Sequence, residues 1–283
     1  MEKVVALCKR RGFVFPGSEI YGGLSNSWDF GPVGIQLKKN IKDLWWKTFV
    51  ENRDDVLGME STVIMSPKVW EASGHIAGFS DPLRECKKCH KRFRGDHWEE
   101  ISNHLPKTST GNLDHAMLIY FCNDSQPHKE ENLTEIRDFN LMFKTNIGPI
   151  EDQSSVVYLR PETAQGQFVD FKTILNTNPK RLPFGIAQIG KAFRNEITTG
   201  NFLFRLRELE QMEIEYFIKE DQWQEQYEHW RKQMWSWFEL VGIDSKKVTE
   251  HEIPDGERAH YSKRTIDFEF DFPFGKKELY GLA

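Results

Sequence analysis

The sequence predicts an α+β fold: an antiparallel β-sheet flanked by helices, with a small inserted subdomain. Three observations carry this. Residues 184–217, FGIAQIGKAFRNEITTGNFLFRLRELEQMEIEYF, read as two strands joined by a loop. Residues 265–272, TIDFEFDF, alternate apolar and acidic side chains, the pattern of a half-buried strand. Stretches 32–49 and 221–241 repeat apolar residues at three- and four-residue spacing, the pattern of amphipathic helices.

The hairpin organises the rest. Side chains alternate along a strand, so Ala192, Arg194 and Glu196 share one face of the first arm, and Phe193, Asn195 and Ile197 the other. In the second arm Arg205, Arg207, Gln211, Glu213 and Glu215 share a face, with Met212, Ile214 and Tyr216 opposite. The turn is expected at Thr198-Thr199-Gly200-Asn201. Arginines and carboxylates therefore crowd one side above an apolar underside. Such a face is ordinarily solvated, with cross-strand ion pairs. The chemical reading is that the arginines hold phosphates, which suit the planar guanidinium fork, and the carboxylates hold amines.

In chain order, residues 1–15 read as a short helix followed by the strand-like Phe13-Val14-Phe15, stopped at Pro16. Segment 18–34 is rich in Gly, Ser and aromatics and reads as loop. Pro32 sits where helices begin, and Ile35, Ile41, Leu44, Trp45 and Phe49 follow at helical spacing. One strand is expected over 56–65, ended by Pro67. Segment 159–166, LRPETAQG, reads as a strand end turning into a helix, with Glu162 or Thr163 serving the helix start. Asp221 is expected to cap a helix whose stripe, Trp223, Tyr227, Trp230, Met234 and Trp237, reads as core packing, and Gly242 to stop it. The expected layout is a first catalytic part over 1–80, an insertion over 81–146 and a second part over 147–283.

Within the insertion, Cys86-Lys87-Lys88-Cys89 has the knuckle spacing of a zinc site, which needs four ligands. Cys122 and His128 are candidates for the other two, with His90 and His97 as local alternatives. The plain alternative is a pair of reduced surface cysteines.

Composition bounds these readings. The chain has 283 residues, 39% hydrophobic and 29% charged, enough for a large core. A net charge of -5 gives no general attraction to nucleic acid, so RNA contact would rest on local basic patches. Four cysteines fit a reducing compartment better than a disulfide scaffold, and no apolar span of membrane length is present, so a cytoplasmic location is expected.

Phe193-Arg194-Asn195-Glu196, a loop, then Arg205-Leu206-Arg207-Glu208 resembles motif 2 of class II aminoacyl-tRNA synthetases. SEIYGGLSNSWDFGPVG (18–34), WEASGH (70–75), FNLMF (139–143) and LRPETAQGQF (159–168) resemble the glycyl-tRNA synthetases of the dimeric, bacterial-eukaryotic type. The likeness runs over nearly the whole chain. It implies glycine activation with ATP and Mg²⁺ and transfer to tRNA(Gly), in a homodimer whose interface includes the 32–65 helix and strand. It further implies that Arg194 meets the α-phosphate and Arg205 the outer phosphates, while Glu196 takes the adenine amino group or the tRNA end. Asn195, Phe204, Leu206, Arg207, Glu208, Leu209, Glu278 and Leu279 join the ATP site, with Glu278 a magnesium candidate. The implied glycine site comprises Arg94, Glu162, Leu209, Glu210, Gln211, Met212 and Glu213, with Glu162 and Glu213 on the ammonium.

Two departures stand out. Leu209 stands where the family usually has a phenylalanine beneath adenine, and the sequence ends at Ala283, before the family's motif 3 and anticodon-binding domain, so it is expected to be the front part of a synthetase catalytic domain. They support an alternative expectation, a non-catalytic synthetase-like dimerisation or nucleic-acid-binding subunit.

Overall fold

The computed structural model describes residues 1–90, 92–96, 132–259 and 261–283. Helix α1 (Glu2–Arg10) leads into β1 (Val14–Pro16), which pairs antiparallel with β2 (Trp28–Phe30). Helix α2 (Pro32–Trp46) starts on its proline and runs on into a π-helical turn, Lys47–Glu51. The single strand expected over 56–65 is instead two, β3 (Val56–Gly58) and β4 (Ile64–Met65). Between them the Ser61 amide donates to the Gln188 side chain at 2.8 Å rather than to a neighbouring strand, so the chain leaves one sheet and enters another.

Two short helices follow, α3 (Pro67–Ala72) and α4 (His75–Gly78). Strand β5 (Ser80–Glu85) pairs antiparallel with both β6 (Arg92–Arg94) and β7 (Arg137–Asn140). β8 (Lys144–Asn146) and β9 (Val156–Leu159) join β4 in a separate three-stranded sheet, with β9 central. Helix α5 (Ala164–Thr177) comes next.

The hairpin strands β10 (Phe184–Phe193) and β11 (Glu208–Phe217) pair over ten residues each, with Gln188 opposite Glu213, and β3 lies parallel along the other edge of β10. The apolar underside is as expected. Met212, Ile214 and Tyr216 pack on a cluster of Trp45, Phe49, Val56, Ala187, Trp230 and Trp237. These come from α2, its π-helical turn, β3, β10 and α6 (Trp223–Leu240). Asp221 does not cap α6, because a 3₁₀ turn over Glu220–Gln222 intervenes. A further three-stranded sheet, β12 (Val248–Glu252), β13 (Ile266–Phe272) and β14 (Gly275–Leu282), packs on the other flank of α6 through Phe238, Ile266 and Phe268.

The hairpin arms end earlier than their alternation suggests. Arg194 N still reaches Arg207 O at 2.9 Å, but Asn195 N turns to Leu141 O at 2.8 Å. That change of partner lifts residues 194–207 out of the sheet. Their tip is a turn over 201–204, closed by an isolated bridge between Gly200 and Arg205. Asn201 and Phe202 adopt left-handed backbone there, φ 54° and 64°. The Phe202 ring meets Trp28 edge-on at 4.9 Å.

Candidate active site

The site lies on the face of the hairpin opposite the aromatic core, and its floor is a buried cation. Arg160, just past β9, is 1% exposed. Its Nε donates to Lys191 O at 2.6 Å and its Nη1 to Ser61 O at 2.7 Å. Gly190 is required above it: a Cβ would lie 2.1 Å from Arg160 Nη2. Burial draws the guanidinium's pKa below its usual value, against the opposing charges of Glu60 and Glu213.

Three carboxylates rise beside this floor. Thr163, at the N-cap of α5, makes no capping bond with its side chain; its hydroxyl donates instead to Glu213 Oε2. Gln188, fully buried, donates to Thr163 O at 3.0 Å, and Gln211 Oε1 accepts from Thr163 N at 3.1 Å. Glu162 Oε1 accepts from Gln165 Nε2 at 2.6 Å and lies 3.4 Å from His75 Nε2. Burial alone would raise Glu162, but His75, Gln165 and the charge of Arg194 outweigh it and hold its carboxyl below the usual range. Glu213 is pushed up, by burial first and then the nearby Glu162 charge. Glu215 is pushed up to about 8 by burial and by the charges of Glu213 and Glu162.

Arg194 stands at the junction. Its Nε donates to Pro161 O at 3.0 Å and its guanidinium lies 5.5 Å from the Phe79 ring centre. Its positive charge reaches Glu162, Glu213, Glu196 and Glu278 alike. Glu196 is 9% exposed and its Oε2 has no hydrogen-bond partner among the described residues; Arg205 Nη1 lies 3.6 Å away. Burial raises Glu196, with Arg205, Arg194 and Arg94 pulling the other way. Arg94, on β6, bonds Asp81 at 2.9 Å and Asp96 at 2.6 Å, so the β5–β6–β7 sheet delivers a third arginine to this end.

Other expected residues sit at the margins. Phe204 packs edge-on against Phe272 and Phe274 at 5.2 and 5.1 Å. Arg207 Nη1 reaches Ser25 O at 3.4 Å. Leu209 faces Ala192 across the hairpin, and Leu206 lies half-buried in the loop. Leu279 packs toward the Phe238 and Phe268 cluster. Glu278 lies near Asp267, and partial enclosure together with the charges of Asp267 and Glu269 holds it above the usual carboxylate range.

Three of the expected contacts point the wrong way. Glu208, Glu210 and Met212 occupy alternate positions on the opposite face from Glu213, because strand period two forbids neighbours from sharing a side. Glu208 pairs with Lys191, Glu210 pairs with Lys38 and Lys42 at 3.1 and 3.4 Å, and Met212 packs on the core. The zinc reading finds no support among the described residues, where no group of three or more metal-type side chains forms. Cys86 is buried and Cys89 exposed; Cys122, His128 and His97 lie outside the described residues.

Sequence reading missed Arg160, Gln188 and His75; of Thr163 and Glu162, both offered for the helix start, Thr163 takes the N-cap, but its hydroxyl serves Glu213. Two signals were available: an arginine closing the apolar strand VVYL, and a glutamine at the register position of Glu213.

Residues 143–281 match the family model "tRNA synthetase class II core domain (G, H, P, S and T)". The RNA binding domain of threonyl-tRNA synthetase from Cryptosporidium parvum Iowa II has a similar fold, with a TM-score of 0.59 at 16% identity, over 96% of this chain and 58% of that one. Residues 143–281 are thus similar to the class II aminoacyl-tRNA synthetase core. Over its whole length the chain is 49% identical to the glycine–tRNA ligase of Treponema denticola, covering 58% of that protein, and 49% identical to that of Alkaliphilus oremlandii, covering 63%. It is 47% identical to that of Streptomyces coelicolor, covering 61%. The chain spans about three-fifths of the length of these relatives.

Proposed function

We propose that this chain carries the adenylate-forming site of a glycine–tRNA ligase. The observation that carries this is Arg194, a single guanidinium amid the fields of Glu162, Glu213, Glu196 and Glu278. An adenylate needs this layout. Its α-phosphate joins an amino acid, held by its ammonium, to a nucleoside, held by its base.

In the proposed reaction a carboxylate oxygen of glycine attacks the α-phosphorus of ATP. The P–O bond to the β-phosphate breaks and pyrophosphate leaves. The two reactants are both anions, so positioned cations offset their repulsion and the charge that develops in transit. Arg194 binds the α-phosphate and Arg205 the outer phosphates. Glu162 and Glu213 orient the ammonium, and Glu196 Oε2, which pairs with Arg205 but has no hydrogen bond among the described residues, accepts from the adenine amino group. Leu209, Leu206, Phe204 and the backbone of Asn195 and Leu279 enclose the nucleotide, while Arg94 and Gln211 border the glycine pocket. Selectivity comes from excluding any Cβ. No covalent nucleophile is needed, since positioning accounts for the catalysis. Glu278, beside Asp267, offers the oxygen donors that Mg²⁺ prefers; when bound, the ion supplies charge neutralisation at the phosphates. In the second step a ribose hydroxyl of the terminal adenosine of tRNA(Gly) attacks the glycyl carbonyl, the acyl–phosphate bond breaks, and AMP leaves with the glycyl ester formed on the tRNA.

We further propose a cytoplasmic homodimer joined through α2, where Val33, Ile35 and Leu37 stand 44%, 52% and 49% exposed. No helix among the described residues is long and apolar enough to cross a membrane. The test is glycine-dependent ATP–pyrophosphate exchange, with alanine and serine as controls. Exchange with glycine alone supports the reading. Silence in the intact protein refutes it and favours the non-catalytic relative.

A further inference from the structure

We propose that His75 is the positioning residue for Glu162, and that the WEASGH and FNLMF segments exist at this site to hold it. The inference rests on the glycine-pocket reading. His75 opens the four-residue helix α4, with its side chain 12% exposed. Its ring is held between Trp70 and Phe79, at 5.5 and 5.3 Å between ring centres, and Trp70 is fully buried. The backbone is clamped from the other segment. Asn140 Nδ2 donates to His75 O and Ile76 O, both at 3.0 Å, while Asn140 Oδ1 accepts from Met142 N at 2.9 Å. The ring therefore has little freedom to turn.

The ring's two nitrogens have different partners. Nδ1 lies 2.8 Å from Ser73 Oγ, and Nε2 lies 3.4 Å from Glu162 Oε1. Ser73 Oγ has one hydrogen and two neighbours, Nδ1 at 2.8 Å and Trp70 O at 3.4 Å; when it goes to the nearer Nδ1, the hydrogen of the neutral ring sits on Nε2, aimed at the carboxylate. Gln165 Nε2 donates to the same oxygen at 2.6 Å. Both protein donors thus converge on Oε1, and Oε2 has none among the described residues. His75 and Gln165 fix the carboxylate plane so that Oε2 is presented to the glycine ammonium. Phe79, on the far side of His75, also lies against the Arg194 guanidinium, so one aromatic packing unit sets the carboxylate and the phosphate-binding arginine together.

The experiment compares the intact wild-type protein with His75→Phe, which keeps the ring packing and deletes both nitrogens, and His75→Gln, which restores an amide donor. Glycine KM, ATP KM and kcat are read from pyrophosphate exchange, and folding from thermal unfolding. The expected result is a rise of roughly tenfold or more in glycine KM for His75→Phe, the worth of one charge-assisted hydrogen bond. ATP KM stays within about twofold, and His75→Gln recovers most of the loss. A folded His75→Phe with unchanged glycine KM overturns the proposal, as does an equal rise in both KM values or a glutamine no better than phenylalanine. Should His75→Phe not fold, Ser73→Ala takes its place, with a several-fold rise in glycine KM expected and no rise overturning. Histidine ¹⁵N spectra of the wild type give a readout independent of activity: the Nε2–H form supports the proposal and the Nδ1–H form refutes it. If the wild type shows no exchange with glycine, the site reading itself fails, and the spectrum alone decides the positioning role.

Discussion

Replacing Glu215 by glutamine should make the protein more stable, increasingly so as pH rises. Glu215 sits opposite Ile186 on the acidic face of the hairpin, and burial with the charges of Glu213 and Glu162 pushes its carboxyl from 4.5 to about 8. The unfolded chain gives up this proton near 4.5, while the folded protein keeps it until about 8. Between those values the folded state binds the additional proton, so its stability falls as pH rises, at about 1.36 kcal/mol per pH unit for this one group. From roughly pH 5 to pH 8 the loss is about 4 kcal/mol by that slope. Glutamine resembles the protonated carboxyl and carries no such slope. Glu213 and Glu196 are also held high and act in the same sense, and Glu162, held low, acts in the opposite sense. The difference between wild type and variant cancels them to first order. Urea unfolding at three pH values across this window measures that difference. It should be near zero at about pH 5 and reach several kcal/mol by about pH 8. A difference that stays within about 0.5 kcal/mol throughout, the scatter of an ordinary surface substitution, would refute the reasoning.

Three further outcomes are expected. Thr163→Val preserves shape but removes the hydroxyl that donates to Glu213, so Glu213 moves further up and glycine affinity drops about tenfold, most at low pH; titration calorimetry at two pH values checks both the size and the pH trend. Glu210→Ala breaks its pairs with Lys38 and Lys42 on the far face, so glycine KM should stay within about twofold of wild type, as for other surface changes. Trp237→Ala empties the centre of the aromatic core, where Trp237 is 2% exposed, and should cost about 3–5 kcal/mol in the same urea assay.

Much of the fold was legible because it obeys periodicity. Period two assigned Met212, Ile214 and Tyr216 to the core, and period 3.6 assigned Trp230 and Trp237. What escaped was set by partners distant in sequence. Asn195 leaves the hairpin only because Leu141 offers it a carbonyl, and Ser61 breaks the strand over 56–65 only because Gln188 waits for its amide. Thr163 shows the same limit: its local position is that of a cap, yet its hydroxyl serves Glu213, fifty residues away. A family motif names a run of residues, but a strand splits the run between two faces. That is why Glu210 and Met212 point to the far face while Gln211 and Glu213 share the face that meets Thr163.

The contact between segment 18–34 and the hairpin loop has a consequence for motion. Asn26 Nδ2 donates to Arg205 O at 2.7 Å across 179 positions of chain, Arg207 reaches Ser25 O, and Trp28 braces Phe202. Arg205 therefore cannot swing away unless the N-terminal segment gives way with it. The two stretches form a single opening unit, and their amides should share one rate of exchange with solvent. A ligand that quiets the loop would then also quiet the first thirty residues, which it need never touch.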